Sequence, residues 1–221
     1  MKAEFWIQRW DNNQIGFHLN EVNPYLRQFF SELGLNEGQK ILVPLCGKSL
    51  DLMWLAEQGL QVIGVELSRQ AVEQFFSEQG MQAQIVTGDG FEIWRAGNIT
   101  LYCGDFFDLT EGVFNKVNRG QVDAVYDRAS MIALPFEMRA LYVQQLARLC
   151  PVSVPRLLVS LNYEQDKLDG PPFAVSQDEI SGYFSKVFKI KQLLAKDVLD
   201  ENEQFRMKGL DHLEEAVYLL R

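Results

Sequence analysis

The sequence predicts an α/β fold in which a doubly wound, Rossmann-like and mostly parallel sheet is covered by helices. Short apolar runs typical of buried strands alternate with segments of helical spacing, and two strand–helix units follow one another near the start. Only a polar connection separates the last two strand-like runs, which indicates an antiparallel C-terminal edge. Because no repeat or Gly/Ser-rich linker interrupts this pattern, residues 1–221 are expected to form a single domain.

Seven apolar segments have the length and composition of strands. Helices are expected between the first five, since parallel neighbours need crossover connections. The predicted strands are Ile41–Leu45, Gln61–Glu66, Ile99–Cys103, Val122–Tyr126, Leu157–Leu161, Val187–Leu194 and Ala216–Leu220. A small additional hairpin is expected around Glu92–Trp94.

Helix positions follow from apolar spacing and capping residues. A helix is predicted between Val22 and Leu33, with Pro24 in its first turn. Further helices are predicted to begin at Ser49, at Ser68, at Pro135 and at Ser176, the last with Glu179 in a capping-box pattern. The helix over Pro135–Leu149 is predicted to bury Met138, Leu141, Tyr142 and Leu146.

Composition excludes several classes of function. A formal net charge of −9 opposes binding to nucleic acid, which needs clustered cations. Three cysteines without CxxC spacing and two isolated histidines predict neither disulfides nor a metal site. Without an apolar signal or membrane segment, the chain is expected to be cytoplasmic, with no membrane partner. It is also expected to be a monomer.

The ligand site is expected outside the carboxyl ends of the parallel strands, where the strand order reverses. The first loop there ends in Gly47-Lys48-Ser49, so a phosphate-binding P-loop is one reading. That motif also needs a glycine where this chain has Leu42. A P-loop nucleotide enzyme therefore stays as an alternative on an incomplete motif.

Glu66 closes the second predicted strand, where an acidic side chain can accept hydrogen bonds from both ribose hydroxyls of a nucleotide. Only Gly47 is present where a dinucleotide fingerprint needs three glycines to admit a pyrophosphate. Ribose without pyrophosphate suggests S-adenosylmethionine as the cofactor. The alternative role of Glu66 is to cap the helix that follows Ser68.

Two later strand ends carry further candidates. Asp105 is placed to accept from an adenine amino group, with Phe106 stacked on the ring; the alternative is a turn aspartate beside core aromatics. Arg128 is placed to bind a carboxylate or an anionic substrate, and the alternative is a salt bridge to Asp127 or Asp123.

The octapeptide Leu42-Val43-Pro44-Leu45-Cys46-Gly47-Lys48-Ser49 resembles the first motif of thiopurine S-methyltransferases, which have Pro-Leu-Cys-Gly-Lys in place of a glycine-rich loop. Shorter matches cover nearly the whole chain: Phe5-Trp6 with Trp10, Phe17-His18, Gly64-Val65-Glu66-Leu67-Ser68, Leu101-Tyr102-Cys103, Phe107-Asp108-Leu109, Tyr126-Asp127-Arg128 and Gly170-Pro171-Pro172-Phe173. The resemblance is weakest at Gly104-Asp105, and the compact N-terminus looks like the bacterial branch.

The resemblance implies an S-adenosylmethionine-dependent enzyme that methylates the sulfur of a small thiol such as a thiopurine, and possible substrates also include selenium or tellurium compounds. It implies that Trp10, Leu45, Glu66 and Arg128 contact the cofactor. Residues 1–35 then form a helical cover, and Phe17 and Arg128 also approach the substrate.

No catalytic acid or base is predicted, because a thiol of low pKa is already largely thiolate near neutral pH. A nucleophilic Cys46 with His18 as its base is a weaker alternative, since no third residue orients the pair. The rival from another class is a non-catalytic sensor that binds S-adenosylmethionine. Methyl transfer to a panel of thiols separates the enzyme from the sensor.

Overall fold

The computed structural model describes residues 3–118 and 121–221, which form one nine-stranded sheet with helices on both faces. The strands are β1 (Lys40–Val43), β2 (Gln61–Glu66), β3 (Gln84–Gly88), β4 (Phe91–Ala96), β5 (Ile99–Cys103), β6 (Ala124–Arg128), β7 (Arg156–Asn162), β8 (Ile190–Asp197) and β9 (Glu214–Leu220). Their order across the sheet is β3-β4-β5-β2-β1-β6-β7-β9-β8.

The five central strands are parallel, as the sequence predicts. β2 and β5 lie on one side of β1, while β6 and β7 lie on the other. The order therefore reverses at β1, between β2 and β6. In a doubly wound sheet this reversal opens a crevice at the carboxyl ends of the strands, which is where ligands bind.

Both edges of the sheet are antiparallel. β9 pairs antiparallel with β7 and with β8, which confirms the predicted C-terminal edge. At the other edge, the hairpin expected around Glu92–Trp94 is larger than predicted: β3 and β4 pair over five residues each, and β4 pairs with β5. The turn is Asp89-Gly90, with φ of 54° and 83°. Positive φ at both positions gives the tight turn that Asp-Gly favours in hairpins.

Eight α-helices are described in residues 3–118 and 121–221. They are α1 (Ala3–Asp11), α2 (Pro24–Phe29), α3 (Asp51–Glu57), α4 (Arg69–Glu78), α5 (Glu111–Asn118), α6 (Phe136–Leu149), α7 (Gln177–Phe184) and α8 (Glu203–Arg206). The predicted helix over Val22–Leu33 is split, because its last turn, Phe30–Leu33, is a 3-10 helix.

Two of the three predicted serine caps are observed. Ser68 accepts a hydrogen bond from Ala71 N at 3.3 Å, and Ser176 accepts one from Glu179 N at 3.2 Å. The Glu179 carboxylate does not return to Ser176, since it binds Arg139 at 2.6 Å. The predicted cap at Ser49 is wrong by one residue, since Leu50 is the N-cap of α3, although the Ser49 hydroxyl accepts a hydrogen bond from Asp51 N at 3.2 Å.

The predicted buried face of α6 is partly wrong. Leu141 is 56% exposed, whereas Arg139 and Gln145 are buried. Both polar side chains have backbone partners: Arg139 donates to Leu134 O at 2.9 Å, and Gln145 donates to the carbonyl oxygens of Phe106 and Leu109. Apolar spacing could not identify these residues, because hydrogen bonds compensate for their burial.

Two strands lie further along the chain than predicted. β6 includes Asp127 and Arg128, because this central strand continues to pair with β7 beyond its apolar residues. The buried Asp127 carboxylate accepts a 2.7 Å hydrogen bond from the Tyr142 hydroxyl. β8 ends at Asp197 rather than Leu194, with a bulge between Gln192 and Leu194.

Large apolar clusters fill both faces of the sheet. One contains Phe106, Tyr142 and Tyr218, and the other contains Leu26, Phe75 and Leu157. The second cluster includes α2, so the cover segment is anchored in the core at Leu26, which is 0% exposed. Within residues 3–118 and 121–221, no helix is both long enough and apolar enough to cross a membrane.

The cap at Ser68 is expected to contribute to stability. Ser68→Ala removes the side-chain acceptor for Ala71 N and should lower the free energy of unfolding by about 1 kcal/mol. Ser77→Ala, at an exposed position near the end of the same helix, is the matched control and should change it by less than about 0.5 kcal/mol. Urea denaturation measures both variants, and equal losses would contradict the capping role.

Candidate active site

Four loops meet at the carboxyl ends of β1, β2, β5 and β6, and backbone hydrogen bonds hold them together. Cys46 N donates to Val65 O at 3.0 Å, and Gly104 N donates to Glu66 O at 2.9 Å. The Ser130 hydroxyl donates to Pro44 O at 2.9 Å. These contacts fix the loop after β1 to the strand ends on both sides of it.

The loop after β1 turns sharply at two residues with positive φ. Leu45 has φ of 45° and Gly47 has φ of 54°. Glycine adopts this conformation without cost, whereas leucine is strained there by about 1–3 kcal/mol. The Leu45 side chain packs on the core, which offsets that strain. The loop is thus held in one shape at the position where the cofactor contact of Leu45 is predicted.

Glu66 holds this loop from the neighbouring strand. Its carboxylate is buried, and its two oxygens accept hydrogen bonds from Gly47 N at 2.8 Å and Ser68 N at 2.7 Å. Burial raises the pKa of Glu66, and the backbone N–H groups of Ser68, Gly47 and Leu67 oppose this rise. Each carboxylate oxygen has a second acceptor position. The carboxylate therefore organises the loop and keeps the capacity to accept from a ligand.

The N-terminal segment lies against this loop through Trp10. Trp10 is 3% exposed, and a Cβ built on Gly47 would lie 3.2 Å from its ring. Phe17 packs edge-on against Trp10 at 5.5 Å and against Trp6 at 5.6 Å between ring centroids. Trp10 and the Glu66 carboxylate therefore both lie against Gly47, with Phe17 packed on Trp10, while the cofactor and substrate contacts of these residues stay predictions.

Arg128 ends β6 with only a weak polar contact to its side chain. Its Nη1 lies 3.9 Å from Asp51 Oδ2, and its side chain is 15% exposed. Among residues 3–118 and 121–221, no hydrogen bond to its guanidinium is found. The predicted alternatives, ion pairs with Asp127 or Asp123, are wrong, because Asp127 binds Tyr142 and Asp123 binds Lys40 N. The planar donor set of Arg128 can therefore serve a ligand.

The sequence suggested a P-loop, but the geometry of the loop disfavours phosphate. The Gly47 N–H that would bind a phosphate oxygen donates to the Glu66 carboxylate. Lys48 forms a 2.6 Å ion pair with Glu78 and is 10% exposed. An anionic phosphate would have to compete with two carboxylates for these groups.

Cys46 is poorly suited to be a nucleophile. It is buried, and its Sγ lies 2.7 Å from the position of a Cβ built on Gly64, so it points into the sheet. Burial, and then Glu66, raise the pKa of the thiol well above its usual range, which disfavours the reactive thiolate. His18, its suggested base, has a lowered pKa because of partial burial and then Lys48.

The two residues predicted to contact adenine after β5, Asp105 and Phe106, differ in their exposure. Asp105 is partly exposed, and its carboxylate accepts from Phe107 N at 2.9 Å, so the turn role is present and an adenine contact stays a prediction. Phe106 is 1% exposed and packs on Tyr142 at 5.4 Å and on Phe107 at 5.9 Å. Core side chains cover its ring, which argues against stacking on adenine.

The sequence as a whole matches one family. The family model described as thiopurine S-methyltransferase matches residues 1–221. A thiopurine S-methyltransferase of Pseudomonas aeruginosa (strain LESB58) is 50% identical over 220 residues, which cover 100% of this chain and 99% of the relative. That of Nitrosospira multiformis is 46% identical over 220 residues, with coverages of 100% and 98%.

The chain belongs to the thiopurine S-methyltransferase family. It is an S-adenosylmethionine-dependent methyltransferase, and the cofactor suggested by Glu66 is confirmed. The bacterial sources of these relatives agree with the compact N-terminus.

Solved structures show the same fold at low sequence identity. A methyltransferase from Thiobacillus denitrificans, in complex with S-adenosyl-L-homocysteine, has a TM-score of 0.60 and is 16% identical, covering 100% of this chain and 98% of that one. A methyltransferase from Anabaena variabilis has a TM-score of 0.61 and is 17% identical, with coverages of 99% and 95%. These neighbours support the doubly wound fold.

The residues at the strand ends fit S-adenosylmethionine chemically. The Glu66 carboxylate can accept hydrogen bonds from the ribose hydroxyls of the cofactor, and the Arg128 guanidinium can donate hydrogen bonds to its carboxylate. In the part of the chain that the structure describes, no group of three or more His, Cys, Asp or Glu side chains is placed to hold a metal ion.

Sequence reasoning missed Asp51, whose carboxylate lies 3.9 Å from Arg128, and its hydrogen-bond partners Asn23 and Tyr126. Asp51 and Asn23 are buried, and Tyr126 lies beside them in β6. The available signal was an acidic residue in the first turn of the helix that follows the family motif. It was not informative alone, because acidic residues are favoured in any first turn.

Binding of S-adenosylhomocysteine should depend on the ionisation of Glu66. The ionised carboxylate is the better acceptor, and burial raises its pKa. Affinity should therefore be complete above that pKa and fall as the pH drops through it, at a higher pH than for an ordinary glutamate. Titration calorimetry over a pH series measures this.

Glu66→Gln is the matched control for this pH series. The amide keeps the size of the side chain but does not titrate, so the variant should bind more weakly and lose the acidic fall. A variant with the same pH dependence as the wild type would contradict the assignment of that fall to Glu66.

Proposed function

We propose that this methyltransferase transfers a methyl group to the sulfur of a small thiol, of which a thiopurine is the model substrate. Small selenium and tellurium nucleophiles belong to the same chemical class. The observation that carries the proposal is an Arg128 guanidinium with free donors, close enough to His18 to add to the effect of burial in lowering the pKa of that histidine, next to Phe17 in the aromatic cover. The names of the relatives support the same substrate class.

Each residue of the site has a proposed task. Glu66 accepts hydrogen bonds from the ribose hydroxyls, and Leu45 and Trp10 contact the cofactor on either side of Gly47. Asp105 accepts from the adenine amino group. Arg128 binds the carboxylate end of the cofactor and faces the substrate, and Phe17 packs on the substrate ring.

When bound, S-adenosylmethionine supplies a methyl group attached to a positively charged sulfur. As the methyl group is transferred, that sulfur leaves with the electrons of the broken carbon–sulfur bond. The protein then has to align the nucleophile with that methyl group and keep water away, and such alignment contributes about 7–11 kcal/mol in favourable cases. The rings of Trp6, Trp10 and Phe17 form an apolar wall suited to this task. The guanidinium of Arg128 stabilises the negative charge of an anionic heterocycle.

The titratable groups described below are poorly suited to take a proton from the nucleophile, which favours a nucleophile that is already ionised. Burial raises the pKa of the Cys46 and Cys103 thiols, and Lys48 is paired with Glu78. His18 is neutral near pH 7, because its pKa is lowered from 6.5. A thiopurine, whose thiol is acidic, needs no strong base, whereas an alkyl alcohol would.

We further propose that the enzyme acts as a cytoplasmic monomer on a small molecule. Its net charge of −9 disfavours nucleic acid as a partner.

The substrate class is tested by mass spectrometry of methylated products. The protein is incubated with S-adenosylmethionine and 6-mercaptopurine, or with 6-hydroxypurine, which has oxygen in place of sulfur on the same ring. We expect methylation of the thiol and at least about 100-fold slower methylation of the oxygen compound, because sulfur is the softer nucleophile and ionises more readily. A thiophenol, a selenol and an alkyl thiol extend the panel.

Two other outcomes have definite meanings. Equal rates on the two purines would contradict sulfur specificity. Micromolar binding of S-adenosylhomocysteine without methylation of any acceptor in the panel would replace the enzyme with a non-catalytic sensor.

A further inference from the structure

We propose that Asp51 is a positioning residue for Arg128, and that it couples the cofactor site to the point where the N-terminal cover joins the core. This inference rests on the proposed role of Arg128 in cofactor binding. Asp51 lies in the first turn of α3, two residues after the family motif, and is 1% exposed.

Both oxygens of the Asp51 carboxylate have defined partners. Oδ1 accepts a hydrogen bond from Asn23 N at 2.8 Å, and Oδ2 accepts one from the Tyr126 hydroxyl at 3.1 Å. Oδ2 also faces Arg128 Nη1 at 3.9 Å. The carboxylate thus joins three segments that are distant in sequence: the start of α2, the start of α3 and the end of β6.

The distance between Asp51 and Arg128 explains how this contact orients the guanidinium and still leaves its N–H donors free. At 3.9 Å, the two groups attract each other electrostatically but share no hydrogen bond. A buried carboxylate needs a compensating cation, and Arg128 is the cation that faces it. The guanidinium is therefore oriented by charge, and its N–H donors stay available for a ligand.

Asn23 extends this arrangement to the cover. Its side chain caps α2 by accepting from Tyr25 N at 2.9 Å and Leu26 N at 3.3 Å, while its backbone N–H is held by Asp51. The cover residues Trp10 and Phe17 precede this anchor in the chain. Asp51 therefore fixes both the cation at the site and the base of the segment that covers it.

The alternative is that Asp51 only anchors α2. Both roles predict lower stability on substitution, so stability cannot separate them. A positioning role predicts in addition that the substitution acts on binding through Arg128, and that the effect vanishes when Arg128 is already removed.

The test is a double-mutant cycle on S-adenosylhomocysteine affinity, measured by calorimetry at a temperature where all variants are folded. Arg128→Gln should weaken binding by about 10- to 100-fold, as expected for the loss of a charged hydrogen bond. Asp51→Asn should weaken it by about 5- to 10-fold in the wild type and by less than about twofold in the Arg128→Gln background.

Asp123→Asn is the matched control. Asp123 also accepts a backbone N–H, from Lys40 at 2.7 Å, but it lies at the opposite end of the sheet. This variant should lose stability without losing affinity. The Nε–H NMR signal of Arg128 gives a second readout, and it should shift or broaden in Asp51→Asn and not in Asp123→Asn.

If Asp51→Asn does not fold, Tyr126→Phe replaces it in the cycle. This variant removes the hydroxyl that holds Oδ2 and keeps the charge, so a smaller loss of about threefold is expected, again only when Arg128 is present.

Additive losses, or an unchanged affinity in Asp51→Asn, would overturn the positioning role while leaving the site intact. No loss in Arg128→Gln itself would instead remove the proposed role of Arg128, and the coupling with it.

Discussion

The hydrogen bond from Gly47 N to the Glu66 carboxylate is the contact on which the rest of the site depends. It fastens the loop after β1 to the end of β2, and it does so at a glycine with positive φ. Trp10 then packs on that glycine, where an added Cβ would lie 3.2 Å from the ring and require it to shift. The strained Leu45 is tolerated because the loop is fixed on both sides, by Cys46 N on Val65 O and by Ser130 on Pro44 O.

The charges at the strand ends are arranged as an acceptor and a donor on opposite sides of β1. Glu66 ends β2 and Arg128 ends β6, and both strands pair with β1. Neighbouring strands lie about 4.8 Å apart, so the two ends are separated by about 10 Å. A ligand with a ribose at one end and a carboxylate at the other spans this distance. Membership of the family accounts for methyl transfer from S-adenosylmethionine, and the strand order accounts for the positions of Glu66 and Arg128.

Much of this could be predicted from the sequence, because the determining signals are local. Gln61–Glu66 and Ile99–Cys103 were predicted with correct bounds, since apolar runs with clear ends define them. Phe106 is packed in the core, and a sequence pattern cannot distinguish such a core aromatic from one that stacks on a ligand. Asp51 was missed because its partners, Asn23 and Tyr126, come from distant parts of the chain. The buried Arg139 was missed for the same reason.

The most direct test of this account is a crystal structure of the protein with S-adenosylhomocysteine. The account predicts both ribose hydroxyls within about 2.6–3.2 Å of the Glu66 carboxylate oxygens, while the Gly47 N–H still donates to the same carboxylate. It also predicts the ligand carboxylate on the Arg128 guanidinium. A ribose bound away from Glu66, with the loop after β1 unchanged, would contradict the central claim.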